Sequence, residues 1–210
     1  MQKLVFASGN AGKIQELHDL LAPLQFDVVA QGSLGIESVD ETAHTFVENA
    51  LLKARHASAV SGLPAIADDS GLEVDALKGA PGLYSARHAE RHDAGSGDVA
   101  NYELVLQQLA QLSDDRQRSA RFRSVVVFLR HEFDPSPLIA EGTWEGHILK
   151  APEGVGGFGY DPVFCNHDTQ TAAALLDKQT KNRLSHRGKA IALLVNRLSD
   201  LYRDNRTASQ

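Results

Sequence analysis

Two pairs of adjacent carboxylates are candidates for metal or proton chemistry. Asp40-Glu41 precedes a predicted helix, and Asp68-Asp69 follows the apolar run Ala65-Ile66-Ala67. Carboxylate oxygens from separate elements are the ligands that Mg²⁺ takes in phosphate sites, and a carboxylate can also deprotonate water. The alternative is that both pairs serve only helix capping and turn formation. The two interpretations are compatible, since Asp68 can serve the turn while Asp69 serves the chemistry.

A candidate phosphate site lies between the first predicted strand and helix, at Ser8-Gly9-Asn10-Ala11-Gly12-Lys13. Backbone amides at a helix N-terminus, the Ser8 hydroxyl and the Lys13 ammonium can converge on a phosphate. The segment is not a Walker motif, because two residues are missing between its glycines and Ile14 replaces the Ser or Thr that should follow the lysine. Taken alone, an ordinary turn with a solvated lysine is the favoured alternative.

A candidate base-binding segment is the glycine-rich run from Gly154 to Asp161. Phe158 and Tyr160 suit stacking on a base, and Asp161 suits accepting its hydrogen bonds. The run matches the dinucleotide fingerprint, but Tyr160-Asp161-Pro162 prevents a helix directly after it, so we reject a Rossmann site. A packed turn is the alternative here. Positive charge comes from Lys53, Lys181 and Arg187, each of which alone is more often a surface residue.

Alternating strand and helix patterns position these residues and predict an α/β fold. Strands are predicted at residues 3–8, 27–30, 65–67, 72–77, 121–129 and 138–143. The last two form an antiparallel hairpin within an otherwise parallel pattern, so the sheet is mixed. Helices are predicted at 14–21, at 45–60 with a capping box, at 98–112 and at 185–202. Residues 68–71 are predicted as a turn, and 78–97 as a long irregular connection.

Composition and charge exclude several classes of protein. The 210 residues are 42% hydrophobic and 23% charged, which fits one domain or two closely packed lobes. A formal charge of −6 argues against a nucleic-acid partner. The longest apolar runs fall far below the roughly 18 residues that span a membrane. We expect no export signal from the first residues, and one cysteine, Cys165, excludes an intramolecular disulfide, so we expect a cytoplasmic protein.

Seven segments of the chain, in order, resemble the inosine triphosphate pyrophosphatases, also described as dITP/XTP pyrophosphatases. The segments are Ser8 to Lys13, Thr45 to Ala54, Ala67 to Leu72, Gly79 to Gly82, Tyr84 to Arg87, Gly157 to Pro162 and Ser185 to Gly188. The resemblance implies a homodimeric, Mg²⁺-dependent enzyme that hydrolyses purine nucleoside triphosphates (ITP, dITP, XTP) to the monophosphate and pyrophosphate, cleansing the nucleotide pool.

The same resemblance implies a fold, namely an elongated mixed β-sheet flanked by helices. It places the active site in a cleft between two lobes of a single domain, residues 1–203, followed by a frayed tail at 204–210.

The resemblance also implies a role for each matching residue. Asp69 would bind Mg²⁺ and activate water, with Glu41 as a supporting metal ligand and Asp68 as the rival for the base role. The triphosphate would be bound by Ser8, Gly9, Asn10, Ala11, Gly12 and Lys13, with Lys53, Ser70 and Lys181 nearby. The base would be enclosed by Phe158, Gly159, Tyr160, Asp161, His186 and Arg187.

Two other functions remain open at this point. One is a pyrophosphatase for a pyrimidine or modified nucleoside triphosphate, with the same metal chemistry and a different base pocket. The other is a nucleotide-binding module without turnover. The paired carboxylates argue against the second, because they would repel phosphate unless a metal ion intervened.

Overall fold

The computed structural model describes residues 2–8, 14, 17, 21 and 26–207, with side chains described as far as Tyr202. Within these residues the strands are β1 (Gln2–Phe6), β2 (Phe26–Ala30), β3 (Ala65–Val74), β4 (Ser119–Leu129), β5 (Leu138–Ile148), β6 (Phe164–Asn166) and β7 (Thr171–Ala172). The α-helices are α1 (Phe46–Ser61), α2 (Gly97–Gln108), α3 (Lys178–Leu184) and α4 (His186–Thr207). The backbone is also helical at residues 14, 17 and 21, within the predicted first helix. None of the described helices is both long and apolar enough to cross a membrane.

The strands form one mixed sheet in the order β2-β1-β3-β4-β5-β6-β7. β1 pairs in parallel with both β2 and β3, whereas β6 pairs antiparallel with β5 and β7. The predicted α/β class with a mixed sheet is therefore confirmed.

The chain divides into two compact units, and the three long strands β3, β4 and β5 contribute to both. The first unit comprises Met1–Asp69, Val125–Glu141 and Ala190–Gln210, and the second comprises Ser70–Ser124 and Gly142–Lys189. The single domain over residues 1–203 stays a prediction. Helix α4 continues to Thr207, where the sequence predicts a frayed tail from residue 204.

In the first unit, alternation along the strands sends side chains into two separate cores. Leu4 and Phe6 of β1 join one core with the α4 residues Ile191 and Leu194. The intervening residue Val5 joins the other core, which α1 covers. Successive side chains of a strand point to opposite faces, so this unit has helices on both sides of its strands.

Helix α1 begins at the predicted capping box. The Thr45 hydroxyl oxygen accepts from the Glu48 backbone N–H at 3.2 Å and donates to the Glu48 carboxylate at 2.7 Å. Ala50, Ala54 and Ala57 of α1 are fully buried. Because these side chains are small, the helix packs closely on the strands beneath it.

Several predicted boundaries are wrong. Residues 65–67 and 72–74, predicted on two separate strands, lie on the single strand β3, so the predicted turn at residues 68–71 does not exist, and residues 75–77, predicted as strand, form a 3₁₀ helix. Gly71 serves close packing instead, because an ideal Cβ there would lie 2.2 Å from the Gly82 carbonyl oxygen. The predicted irregular connection contains 3₁₀ helices at Gly82–Arg87 and Glu90–His92. Helix α3 was not predicted, and α2 ends four residues before its predicted end.

The core of the second unit encloses a charged side chain, Arg118, which is 2% exposed. Its guanidinium donates to the carbonyls of Ile148 at 2.7 Å and Leu149 at 2.6 Å, at the end of β5. It also donates to the carbonyls of Leu109 at 2.8 Å and Leu112 at 3.2 Å, after the end of α2. One side chain thus satisfies four backbone acceptors on two elements.

We expect Arg118→Met to lower the free energy of unfolding by roughly 3–5 kcal/mol, since several buried carbonyls lose their donor at ~1–3 kcal/mol each. Urea denaturation measures this loss. Arg118→Lys should be intermediate, because an ammonium reaches fewer acceptors than the guanidinium fork. Arg116→Ala is the control, since that side chain is 91% exposed. A loss in Arg118→Met no greater than in this control would contradict the role of the guanidinium.

The turn between β4 and β5 is organised by Asp134, whose side chain is 1% exposed. Its carboxylate accepts from the backbone N–H groups of Arg130 at 3.0 Å and Ser136 at 2.9 Å, and from the Arg130 guanidinium at 2.8 Å. The Arg130 side chain is the largest cause of a strongly lowered pKa at Asp134.

We expect Asp134→Asn to destabilise the protein by on the order of 1–3 kcal/mol at neutral pH. The folded pKa lies below the unfolded value near ~3.9, so the stabilisation is complete above that value and is lost as the pH falls through the folded pKa. Chemical denaturation of both proteins at several pH values from 7 down to 3 should therefore show that their difference in free energy of unfolding shrinks toward acid. If the difference in free energy of unfolding did not change with pH, the shape of the Asp134 side chain rather than its charge would be the cause of the stabilisation.

Candidate active site

A carboxylate-lysine cluster, Glu41, Lys53 and Asp69, forms in the first unit. Ala65 and Ala67 of β3 belong to the core under α1, and Ile66 belongs to the opposite core. Alternation along the strand therefore points Asp69 toward α1 and Asp68 toward the opposite face. This separation assigns the two adjacent carboxylates to different surroundings.

Within the cluster, Lys53 of α1 joins the two carboxylates. Its Nζ lies 2.8 Å from Glu41 Oε1 and 3.0 Å from Asp69 Oδ1. Asn49, one helical turn earlier, is 1% exposed, and its Oδ1 accepts from the Ala43 backbone N–H at 3.0 Å. Asn49 thereby fixes the segment that carries Glu41. Sequence reasoning gave it no role, and its one signal was its place in the motif after the capping box.

The electrostatics of the cluster favour a charged lysine and a basic carboxylate. Burial raises the pKa of Asp69 and the neighbouring Glu41 raises it further, while the Lys53 charge opposes them without reversing the direction. Burial lowers the pKa of Lys53, but the charges of Asp69 and Glu41 outweigh it, so the net shift is upward. A carboxylate with a raised pKa is a better proton acceptor than a solvated one.

The donor set of this cluster fits Mg²⁺. Asp69 Oδ2 is buried and has no hydrogen-bond partner among the described residues. Those residues contain no group of three or more His, Cys, Asp or Glu side chains placed to hold a metal ion. Mg²⁺ does not require such a group, since it commonly takes one or two carboxylates together with substrate phosphates and water. Glu41 and Asp69 supply two carboxylates of this kind.

Ser8 follows the end of β1, the strand that pairs in parallel with β3. The parallel register pairs Phe6 with Ile66, and the Ala7 N–H donates to the Ile66 carbonyl at 2.8 Å. The Ser8 N–H donates to the Phe6 carbonyl at 2.9 Å, so the chain turns directly after the strand. The predicted phosphate residues Gly9, Asn10, Ala11, Gly12 and Lys13 lie outside the described residues.

In the second unit, the glycine loop, residues Gly154 to Asp161, presents an aromatic ring near two cations. Phe158 is 56% exposed. The Lys181 Nζ lies 4.9 Å from the centre of its ring, and the Arg187 Cζ lies 5.8 Å from the same point. Arg187 also donates to the Ser70 hydroxyl at 3.3 Å. An exposed ring flanked by cations can stack on a flat ligand that carries oxygen acceptors.

Asp161 organises this loop from within. It is 4% exposed, and its Oδ2 accepts from the Phe158 N–H at 2.8 Å and forms an ion pair with Lys181. An ideal Cβ at Gly157 would lie 2.1 Å from that oxygen, so only glycine fits there. The Asp161 carboxylate, predicted to accept hydrogen bonds from a base, is therefore already paired with groups of the protein itself.

Tyr160 is placed differently from the expectation that it stacks on a base, and His186 has a neighbouring ring of the protein against it. Tyr160 is 3% exposed and belongs to the core of the second unit, so its ring is not positioned to stack on a ligand. Its hydroxyl donates to the Ser85 carbonyl at 2.8 Å. The His186 ring stacks on Phe122 with centres 4.7 Å apart and planes 10° apart, so one of its faces is covered.

The fold and the carboxylate-lysine cluster define an α/β protein suited to metal-phosphate chemistry. The family model described as the Ham1 family matches residues 4–197, and the chain belongs to this family. The resemblance seen in the sequence is confirmed by relatives named dITP/XTP pyrophosphatase. The protein from Xanthomonas axonopodis pv. citri (strain 306) is 59% identical, covering 94% of this chain and 98% of its own. The Shigella flexneri protein is 52% identical with the same coverage, 94% and 98%.

Solved structures agree with the family assignment. A HAM1 protein from Coxiella burnetii has a TM-score of 0.88 and 44% identity, covering 95% of this chain and 100% of that one. The Staphylococcus aureus Ham1 protein has a TM-score of 0.84 and 37% identity, covering 95% and 99%.

Proposed function

We propose that this chain hydrolyses noncanonical purine nucleoside triphosphates, namely ITP, dITP and XTP, between the α and β phosphates. The products are the nucleoside monophosphate and pyrophosphate, and the reaction removes these nucleotides from the pool. The observation that carries the proposal is the buried Asp69 held beside Lys53 and Glu41, in a family whose relatives are named dITP/XTP pyrophosphatases.

Glu41 and Asp69 would hold Mg²⁺, which when bound neutralises charge on the triphosphate. Asp69 takes the proton from the attacking water, a role supported by its burial and raised pKa. The Lys53 ammonium keeps the two carboxylates from repelling each other. Ser8 and the segment from Gly9 to Lys13 bind the triphosphate, with the Lys13 ammonium on the departing pyrophosphate.

The residues of the second unit bind the base and the adjoining part of the nucleotide. Phe158 stacks on the purine, and Arg187 donates to the oxygen at position 6 of hypoxanthine or xanthine. Adenine reverses the donor and acceptor at positions 6 and 1, so it would leave polar groups unpaired. Ser70, Gly159, Lys181 and His186 complete the site. Tyr160 and Asp161 hold the loop in shape.

A nucleotide panel tests the proposed function. Purified protein with Mg²⁺ is given ITP, XTP, dUTP and ATP, and pyrophosphate and phosphate are measured separately. The proposal expects pyrophosphate from ITP and XTP, little from ATP or dUTP, and loss of turnover with a chelator. Preference for dUTP would favour the pyrimidine alternative, and binding of ITP without any pyrophosphate would favour the non-catalytic module. Phosphate as the first product would overturn cleavage between the α and β phosphates.

The assembly and location of the protein belong to the same proposal. We propose a homodimer in the cytoplasm, acting on a small-molecule substrate without a nucleic-acid or membrane partner. The resemblance supports the homodimer, and the formal charge of −6 disfavours polyanionic partners. Light scattering on the purified protein measures the mass, and a value near 22.7 kDa would overturn the dimer.

A further inference from the structure

The glycine loop is attached to its surroundings through two contacts that the proposed chemistry does not use. The Gly159 N–H donates to Asp98 Oδ2 at 2.6 Å, and the Tyr160 hydroxyl donates to the Ser85 carbonyl at 2.8 Å. Asp98 lies in the first turn of α2, and Ser85 lies in the 3₁₀ helix Gly82–Arg87. The two contacts fasten the loop at consecutive residues directly after Phe158.

The Ser85 attachment point is itself held firmly. The Ser85 hydroxyl accepts from the Leu72 N–H of β3 at 2.8 Å and donates to the Gly82 carbonyl at 2.6 Å. Gly71 packs against the same segment, since an ideal Cβ there would lie 2.8 Å from Ser85 Oγ. The Tyr160 hydroxyl is therefore anchored to a sheet strand rather than to a free loop.

The loop needs such attachment because its own backbone restrains it little. Gly154, Gly157 and Gly159 have φ values of 80°, 78° and 61°, a region that glycine enters at no steric cost. The 56% exposed Phe158 ring stands between these glycines, and ordering such a segment costs conformational entropy. Contacts that order it before ligand binding lower the cost of binding.

We propose that Tyr160 and Asp98 are positioning residues that fix the glycine loop, so that the Phe158 ring stands ready to stack on the base of the substrate. The proposal rests on the proposed function for the identity of that substrate. Tyr160 acts through the loop and touches no ligand, because its ring is in the core. Burial, and to a lesser degree the Asp98 charge, raise the pKa of the Tyr160 hydroxyl, so it remains a hydrogen-bond donor.

Tyr160→Phe is the principal test, since it removes one hydrogen bond and leaves the buried ring. We expect the KM for ITP to rise roughly 3- to 10-fold, with kcat changed less than about 2-fold, because ground-state binding is what is lost. Asp98→Ala should raise the KM similarly. Asp98→Asn should keep the KM close to the wild-type value, because its amide oxygen still accepts a hydrogen bond. Tyr102→Phe is the matched control, since Tyr102 packs against the same core. An unchanged KM in Tyr160→Phe, or a kcat loss alone, would overturn the proposal.

A double-mutant cycle distinguishes positioning from a general structural effect. If Tyr160 acts through Phe158, adding Tyr160→Phe to Phe158→Ala should change the KM no further. A full additional 3- to 10-fold rise, on the order of the single effect, would show that Tyr160 acts elsewhere and would overturn the proposal.

Hydrogen exchange supplies a measurement that does not depend on turnover. In Tyr160→Phe and Asp98→Ala, the amides of the glycine loop should exchange faster than in the wild type and in Tyr102→Phe. Unchanged exchange would overturn the positioning role. If the wild type releases no pyrophosphate from ITP but exchange is faster in the variants, the proposed function fails while the attachment of the loop stands.

Discussion

Replacing Asp69 with asparagine is expected to lower kcat for ITP by at least about 10³-fold, while the protein stays folded. The amide has nearly the same shape as the carboxylate, but it neither takes a proton from water nor holds a divalent cation well. Asp69 faces α1, and the Lys53 ammonium of that helix lies within hydrogen-bonding distance of both Asp69 and Glu41.

Pyrophosphate release under saturating ITP and Mg²⁺ measures the effect, and circular dichroism verifies folding. Asp68→Asn is the matched control, because it removes the adjacent carboxylate on the opposite face of β3. We expect its kcat to fall much less. Near-normal turnover in Asp69→Asn, with severe loss in Asp68→Asn, would transfer the base role to Asp68.

Replacing Arg187 with alanine is expected to remove most of the ITP activity. It should also lower the preference for ITP over ATP, measured as the ratio of their kcat/KM values. A polar mismatch in a closed site can contribute on the order of 10⁴ in specificity, far more than a missing methylene. The guanidinium lies near the Phe158 ring and donates to Ser70, the residue after Asp69 in the chain. It is therefore placed to donate to a base stacked on Phe158.

The measurement is kcat/KM for ITP and ATP in parallel, with Arg183→Ala as the control because Arg183 is an exposed arginine on α3. Equal proportional losses for the two nucleotides would make Arg187 a phosphate-binding or structural residue. Recognition of the base would then be attributed to His186, Asp161 or backbone amides of the glycine loop.

Local sequence patterns predicted the elements whose signals are complete within a few residues. The capping box at Thr45 and Glu48 predicted the start of α1, and the apolar run from Val125 to Leu129 predicted β4. The motifs also identified Glu41 and Asp69 as candidate metal ligands and Lys53 as a candidate phosphate-binding residue, since their residue types carry metal-phosphate chemistry. In these cases the stabilising contacts lie close together in the chain, or the chemistry belongs to the residue type itself.

Tertiary structure decided what depends on contacts between distant residues. Asp68 to Gly71 have the composition of a turn, yet β3 runs through them, and this continuity is what places Asp68 and Asp69 on opposite faces. Phe158 and Tyr160 are both aromatic and two residues apart in the chain. The Tyr160 ring is buried, and its hydroxyl donates to the carbonyl of Ser85, 75 residues away, whereas the Phe158 ring is exposed. Local composition cannot distinguish them, because burial depends on which distant groups can satisfy a polar atom.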